Sequence, residues 1–123
     1  MKKILLSFSL LILGFSSNAQ SWNAQATGFD FISRGLSEIH IVNSNTVWAL
    51  AYDGLDAENV IQEFTMTTDG GNTWNPGTIN VGDPGLSINN IAPISATTAW
   101  VSALTPTIGN NGVIYKTTDG DIS

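Results

Sequence analysis

The chain repeats itself, and the repeat constrains its fold more than any other feature. Gly35-Leu36-Ser37 returns as Gly85-Leu86-Ser87, 50 residues later. Thr46-Val47-Trp48 returns loosely as Thr98-Ala99-Trp100, 52 later, and Thr67-Thr68-Asp69-Gly70 returns as Thr117-Thr118-Asp119-Gly120, again 50 later. Three landmarks in one order, drifting by two residues, define a unit of about 50 residues. Between them the texture is short runs of Thr, Ile, Val and Trp cut by Gly, Asn, Asp and Pro. After residue 20 no stretch keeps an i, i+3, i+4, i+7 apolar pattern, so the expected class is all-β.

Each unit reads as four antiparallel strands. The first covers Ser37–Val42, where Ile39 and Ile41 alternate with Glu38 and His40, and Asn43-Ser44-Asn45 supplies a turn. A second strand, Thr46–Tyr52, and a longer acidic connection, Asp53–Asn59, lead to a third at Val60–Thr67. An Asp-Gly-Gly reversal then opens a fourth, Thr73–Ile79. The second unit follows as Ile88–Pro93, Thr98–Leu104 and Gly112–Thr118, and its fourth strand is expected from Ser123. A four-stranded repeat of this length points to a β-propeller blade.

Ser21-Trp22-Asn23 echoes Thr73-Trp74-Asn75 at a spacing of 52, so residues 21–27 are expected to form an orphan outer strand. The division expected is 1–19 signal peptide, 20–34 orphan strand and linker, 35–84 first blade, and 85–123 a second blade cut before its last strand. A closed ring has at least four blades, so about two blades make an incomplete ring and the chain reads as truncated. Open strand edges are expected to make it self-associate.

Thr67-Thr68-Asp69-Gly70-Gly71-Asn72-Thr73-Trp74 fits the pattern Ser/Thr-x-Asp-x-Gly-x-Thr/Ser-Trp at every specified position. On that motif the chain resembles the Asp-box (bacterial neuraminidase repeat) propellers, which include sialidases, sortilin-type receptors and exported bacterial proteins. The second copy keeps Thr117 and Asp119 but has Asp121 where the pattern has Gly, and it reaches no Trp. The box is a structural device. Asp69 is expected to accept hydrogen bonds within its own turn, Gly70 and Gly71 to take positive φ, and Thr73 and Trp74 to close and cover the hairpin. The resemblance implies that such boxes lie at the blade periphery, away from a central ligand pocket.

Met1-Lys2-Lys3, an apolar run from Ile4 to Phe15, and small residues at Ser17 and Ala19 have the layout of a secretory signal cut after Ala19. The run is shorter than the ~20 apolar residues of a membrane span. Export to the exterior or cell surface is the expectation, with no integral membrane segment after cleavage. The chain has no Cys, so neither disulfides nor lipid attached at cysteine can hold it. Cleavage would remove Lys2 and Lys3, leaving Arg34 and Lys116 against ten acidic residues, a net charge of −8. Such a balance argues against nucleic acid and anionic membrane surfaces as partners, since both require basic patches.

The search for chemistry yields little. A sialidase needs three arginines, a Tyr–Glu pair and an acid Asp; the mature part has Arg34 alone, read instead as a loop arginine paired with a carboxylate such as Glu38. His40 is the single histidine, too few for a zinc site or an argued Ser-His-Asp triad. Asp53, Asp56 and Glu58 form the densest acidic group and are a weak candidate calcium loop, since they lack EF-hand spacing. Gly109-Asn110-Asn111-Gly112 reads as a turn, and Trp48 and Trp100 as repeated packing positions. No cofactor is expected. The expected function is a non-catalytic secreted module for binding or display of a glycan or protein ligand. The alternative is the N-terminal part of a sialidase-like glycoside hydrolase. By resemblance alone, a C-terminal sorting domain of the type IX outer-membrane route would follow such a module; the 123 residues contain none.

Overall fold

The computed structural model describes residues 20–105 and 111–120, and among them every regular element is a strand. The expected signal, residues 1–19, lies outside these residues, as do Gly109, Asn110 and the Asp121–Ser123 end of the second box. Seven strands follow in order: β1 Arg34–Ile41, β2 Val47–Asp53, β3 Glu63–Thr67, β4 Asn75–Thr78, β5 Ser87–Pro93, β6 Ala99–Leu104 and β7 Gly112–Thr117. They form two antiparallel meanders, a four-stranded sheet β1-β2-β3-β4 and a three-stranded sheet β5-β6-β7. The seven strands expected within the described residues of the two units are present with shifted ends, and the further strand expected from Ser123 lies outside them. β1 begins three residues earlier than expected because Arg34–Leu36 pairs with Ala51–Asp53. β3 begins three later, since residues 60–62 stay outside the ladder.

The repeat is reproduced at the level of single hydrogen bonds. In the first unit Val42 N and Asn43 N donate to Thr46 O; 52 residues on, Ile94 N and Ser95 N donate to Thr98 O. The Asn43 Oδ1 that accepts from Asn45 N and Thr46 N is replaced by Ser95 Oγ, which accepts from Thr97 N and Thr98 N. Asn and Ser are interchangeable here because both carry a short side-chain acceptor. The first strand of each sheet also has an irregularity at the same place, between Leu36 and Glu38 in β1 and between Ile88 and Asn90 in β5. In β1 the extra residue, Ser37, donates its hydroxyl to Leu50 O.

Side chains alternate across a sheet, so register assigns faces. One face of the first sheet, termed front, carries Glu38, His40, Trp48, Leu50, Phe64 and Met66; the back carries Ile39, Ile41, Val47, Ala49, Thr65 and Thr67. In the second sheet the corresponding front carries Asn90, Ala92, Trp100, Ser102, Ile114 and Lys116, and the back Ile91, Ala99, Val101, Ala103, Tyr115 and Thr117. The core forms where the front of the first sheet meets the back of the second. Trp48, Leu50 and Phe64 pack with Ile91, Ala99, Val101 and Ala103, and Ile79, Val81 and Leu86 of the connecting segment complete the cluster. The Trp48 and Phe64 rings stack at 4.8 Å, and Trp48 Nε1 donates to Ser95 O across the sheets. Phe64 lies flat on Gly77, where any Cβ would collide with its ring.

Residues 21–27 form no ladder, so the orphan strand is not realised as a strand. The segment is nonetheless placed: Thr65 Oγ1 donates to Thr27 O at 2.7 Å, and Gly28 abuts the Trp74 carbonyl. It thus lies over the back of the first sheet, held by side-chain and backbone contacts in place of strand pairing.

Candidate functional site

The full box closes on itself. Thr67 Oγ1 donates to Asp69 Oδ1 at 2.8 Å and accepts from Gly71 N at 2.9 Å. Thr73 delivers its N–H to Asp69 Oδ1 at 2.9 Å and its hydroxyl to Asp69 Oδ2 at 2.7 Å. Gly70 and Gly71 hold φ of 73° and 92°, the left-handed region that a Cβ disfavours, and Gly70 N reaches Asn45 O. Bonds from the Thr73 hydroxyl, the Thr73 N–H and the Thr67 hydroxyl stabilise the ionised carboxylate and hold the Asp69 pKa at about 2, below the ordinary 3.8. Trp74 is half-buried, with its Nε1 enclosed and without a hydrogen-bond partner. The second copy repeats the start of this arrangement: Thr117 Oγ1 donates to Asp119 Oδ1 at 2.7 Å, and Gly120 N donates to Thr97 O. The full box and the described start of the second copy, Thr117–Gly120, are turn structure. A carboxylate with both oxygens engaged inside its turn is not poised as an acid.

Arg34 is paired, but with other partners than Glu38. Its Nε and Nη2 donate to Glu63 Oε2 and Oε1 at 2.6 and 2.9 Å, a bidentate fork, and Nη1 lies 3.5 Å from Asp53. The reason is register: Arg34 sits opposite Asp53 on β2, with Glu63 on the strand beyond. The bonds to Glu63, and then its charge and that of Asp53, raise the Arg34 pKa further above its ordinary value. Glu38 instead turns across the sheet interface, where its carboxylate accepts from Asn90 Nδ2 and Ile91 N and contacts His40 Nε2 at 3.3 Å.

The acidic connection is used to build its own loop. Asp53 Oδ2 accepts from Asn59 Nδ2 at 2.7 Å and Oδ1 from Leu55 N, which lowers its pKa, with Arg34 adding to the effect. Asp56 Oδ1 accepts from Glu58 N. Among the described residues no group of three His, Asp or Glu side chains is gathered as a metal site, so Asp53, Asp56 and Glu58 do not converge as calcium ligands.

What these residues do form is a wall. A cleft of about 400 Å³ opens between β1 and β5, where Glu38, Tyr52, Asp53, Asp56, Asn59 and Asn89 lie beside apolar Val60, Ile61 and Ile88. Tyr52 is 48 % exposed, and its ring lies against Gly35, where any Cβ would collide with it. Sequence reasoning reached Asp53 and Asp56 but missed Glu38, Tyr52, Asn59 and Asn89 as one surface. Only the packing of the two sheets joins β1, the end of β2 and the loop after it to β5.

The fold and cleft define an all-β protein of two repeated, face-packed antiparallel sheets, with a cleft of mixed polar and apolar lining between their first strands, β1 and β5. No protein-family model matches the chain, and no curated protein or solved structure matches it.

Proposed function

We propose that the chain is part of an exported, non-catalytic Asp-box β-propeller, each sheet a blade, that binds an uncharged glycan at the cleft between β1 and β5. One observation carries the reading. An exposed aromatic ring, Tyr52, borders a cleft that presents the carboxylates of Glu38, Asp53 and Asp56 and the amides of Asn59 and Asn89 beside apolar side chains such as Val60, Ile61 and Ile88. Aromatic faces stack on the C–H faces of sugars, while carboxylates and amides bond hydroxyls. The cleft also has the volume of a small-molecule site. The sialidase-like alternative requires an arginine presented to a substrate carboxylate, whereas Arg34 is clamped by Glu63 and Asp53.

Titration calorimetry against neutral oligosaccharides tests this. We expect saturable binding that Tyr52→Ala weakens at least about tenfold, the loss of one stacking contact. Turnover of a fluorogenic sialoside that disappears in Arg34→Ala would establish the alternative.

A further inference from the structure

The first sheet departs from the repeat at a pair of facing residues. Ladder register makes Ser87 and Leu104 the second-sheet equivalents of Gly35 and Tyr52. A β-carbon at residue 35 would collide with the Tyr52 ring, yet Gly35 is not among the glycines held at positive φ. The close approach of the ring therefore demands this glycine, and the backbone does not. The second sheet forms the same meander with Ser and Leu at these places. A unit can thus fold without a ring laid on its first strand, and the pair serves the surface.

That ring borders two hollows. One is the cleft between β1 and β5. The other, of about 450 Å³, is walled by Ile32, Ser33, Arg34, Gly35, Gly54 and Leu55. Short bonds fix its walls: Gly54 N donates to Ser33 O at 2.7 Å, Arg34 N to Phe31 O, and Leu55 N to Asp53 Oδ1. Leu55 is 88 % exposed and Ile32 wholly so, which leaves apolar side chains at its rim. The Arg34 guanidinium is neutralised by Glu63 and Asp53, so the described walls present no unpaired charge. Tyr52 and Gly35 lie on the front of the first sheet, the face whose packing partner, the second sheet, is in place.

We propose that this hollow is a second subsite for the same ligand, so that the site takes a neutral oligosaccharide chain in preference to a single sugar. One unit lies in the cleft, the next over Tyr52, and the chain continues against Leu55 and Ile32. The inference rests on the glycan reading of the cleft. Aliphatic side chains gain by covering the C–H faces of a sugar, as an aromatic ring does. A charged unit would lose its hydration in the hollow without meeting a free counter-charge. Two hollows joined through one exposed ring suit an extended ligand better than a compact one.

Titration calorimetry of the full chain with gluco-, manno- and xylo-oligosaccharides, each from the monosaccharide upward, tests this. In a series that binds, affinity should rise at least about tenfold with length and level off once both hollows are filled. Leu55→Ser should bring the long chain down to the affinity of the short one, with the circular dichroism of the wild type. Gly35→Ala should weaken binding at every length by displacing the ring. Combined with Tyr52→Ala it should cost nothing further, since the collision is gone. A single sugar bound as tightly as a chain would overturn the second subsite and leave the cleft reading standing. So would a length dependence untouched by Leu55→Ser, or a Gly35→Ala effect that is absent or persists without the ring. Failure of every series to bind would remove the cleft reading itself, and this inference with it.

Discussion

The two sheets share a meander, a turn, an irregularity in the first strand and a Thr-Thr-Asp-Gly reversal, yet differ in what they bury. Trp48 is sealed under the second sheet, stacked on Phe64 and bonded through its indole to Ser95 O. Trp100, at the same place in its sheet, is exposed on one side and carries the Lys116 ammonium 5.0 Å from its ring centroid. The backbone of a unit is therefore set locally, by turn and box. The burial of a unit is set by its neighbour.

That separation can be broken most sharply at the two tryptophans. Trp48→Ala removes a large side chain from the core and should cost about 3–5 kcal/mol. Trp100→Ala, measured by urea denaturation at concentrations too low for association, should cost less than about 1 kcal/mol, as at an exposed position. Equal losses would show that burial does not differ between the sheets.

A smaller effect tests the claim that local structure is common to both. Gly70 and Gly120 hold φ of 73° and 80°, and each donates its N–H to a carbonyl of the preceding β-turn, Asn45 O and Thr97 O. Alanine at either position would be forced into the left-handed region, at about 1–2 kcal/mol. The two melting shifts should be similar. A loss at Gly70 several times that at Gly120 would mean that the second box is not held as the first is.

The smallest effect concerns pH. The Asp69 carboxyl titrates at about 2 in the folded protein against an ordinary 3.8, so between these values the unfolded chain binds more protons. The contribution of Asp69 to stability is complete above about 4 and is lost as pH falls toward 2. Asp69→Asn should flatten this part of the stability–pH curve; an unchanged slope would remove the carboxylate from the turn's stabilisation.

Much of this was legible in the linear chain, for a physical reason. Turns, boxes and strand alternation depend on residues within a few positions of one another. Thr67, Asp69, Gly71 and Thr73 revealed their hydrogen-bonded reversal because all its donors and acceptors lie within seven residues. Arg34 was expected beside Glu38 because the two are close in sequence, but its partner Glu63 is 29 residues away and is reached only through ladder register. The acidic loop was by composition only a weak candidate for calcium, and its hydrogen bonds show Asp53 and Asp56 supporting their own backbone.

By itself, then, the sequence determined that this is an all-β chain, that it contains a repeated unit, and how the chain reverses at Thr67–Thr73, since these are short-range consequences of residue type and spacing. Tertiary structure decided which tryptophan is core and which is surface, which carboxylates clamp Arg34, and which side chains line the cleft between β1 and β5. Those outcomes depend on how the second sheet settles on the first. Packing between distant segments leaves no local mark in the order of residues.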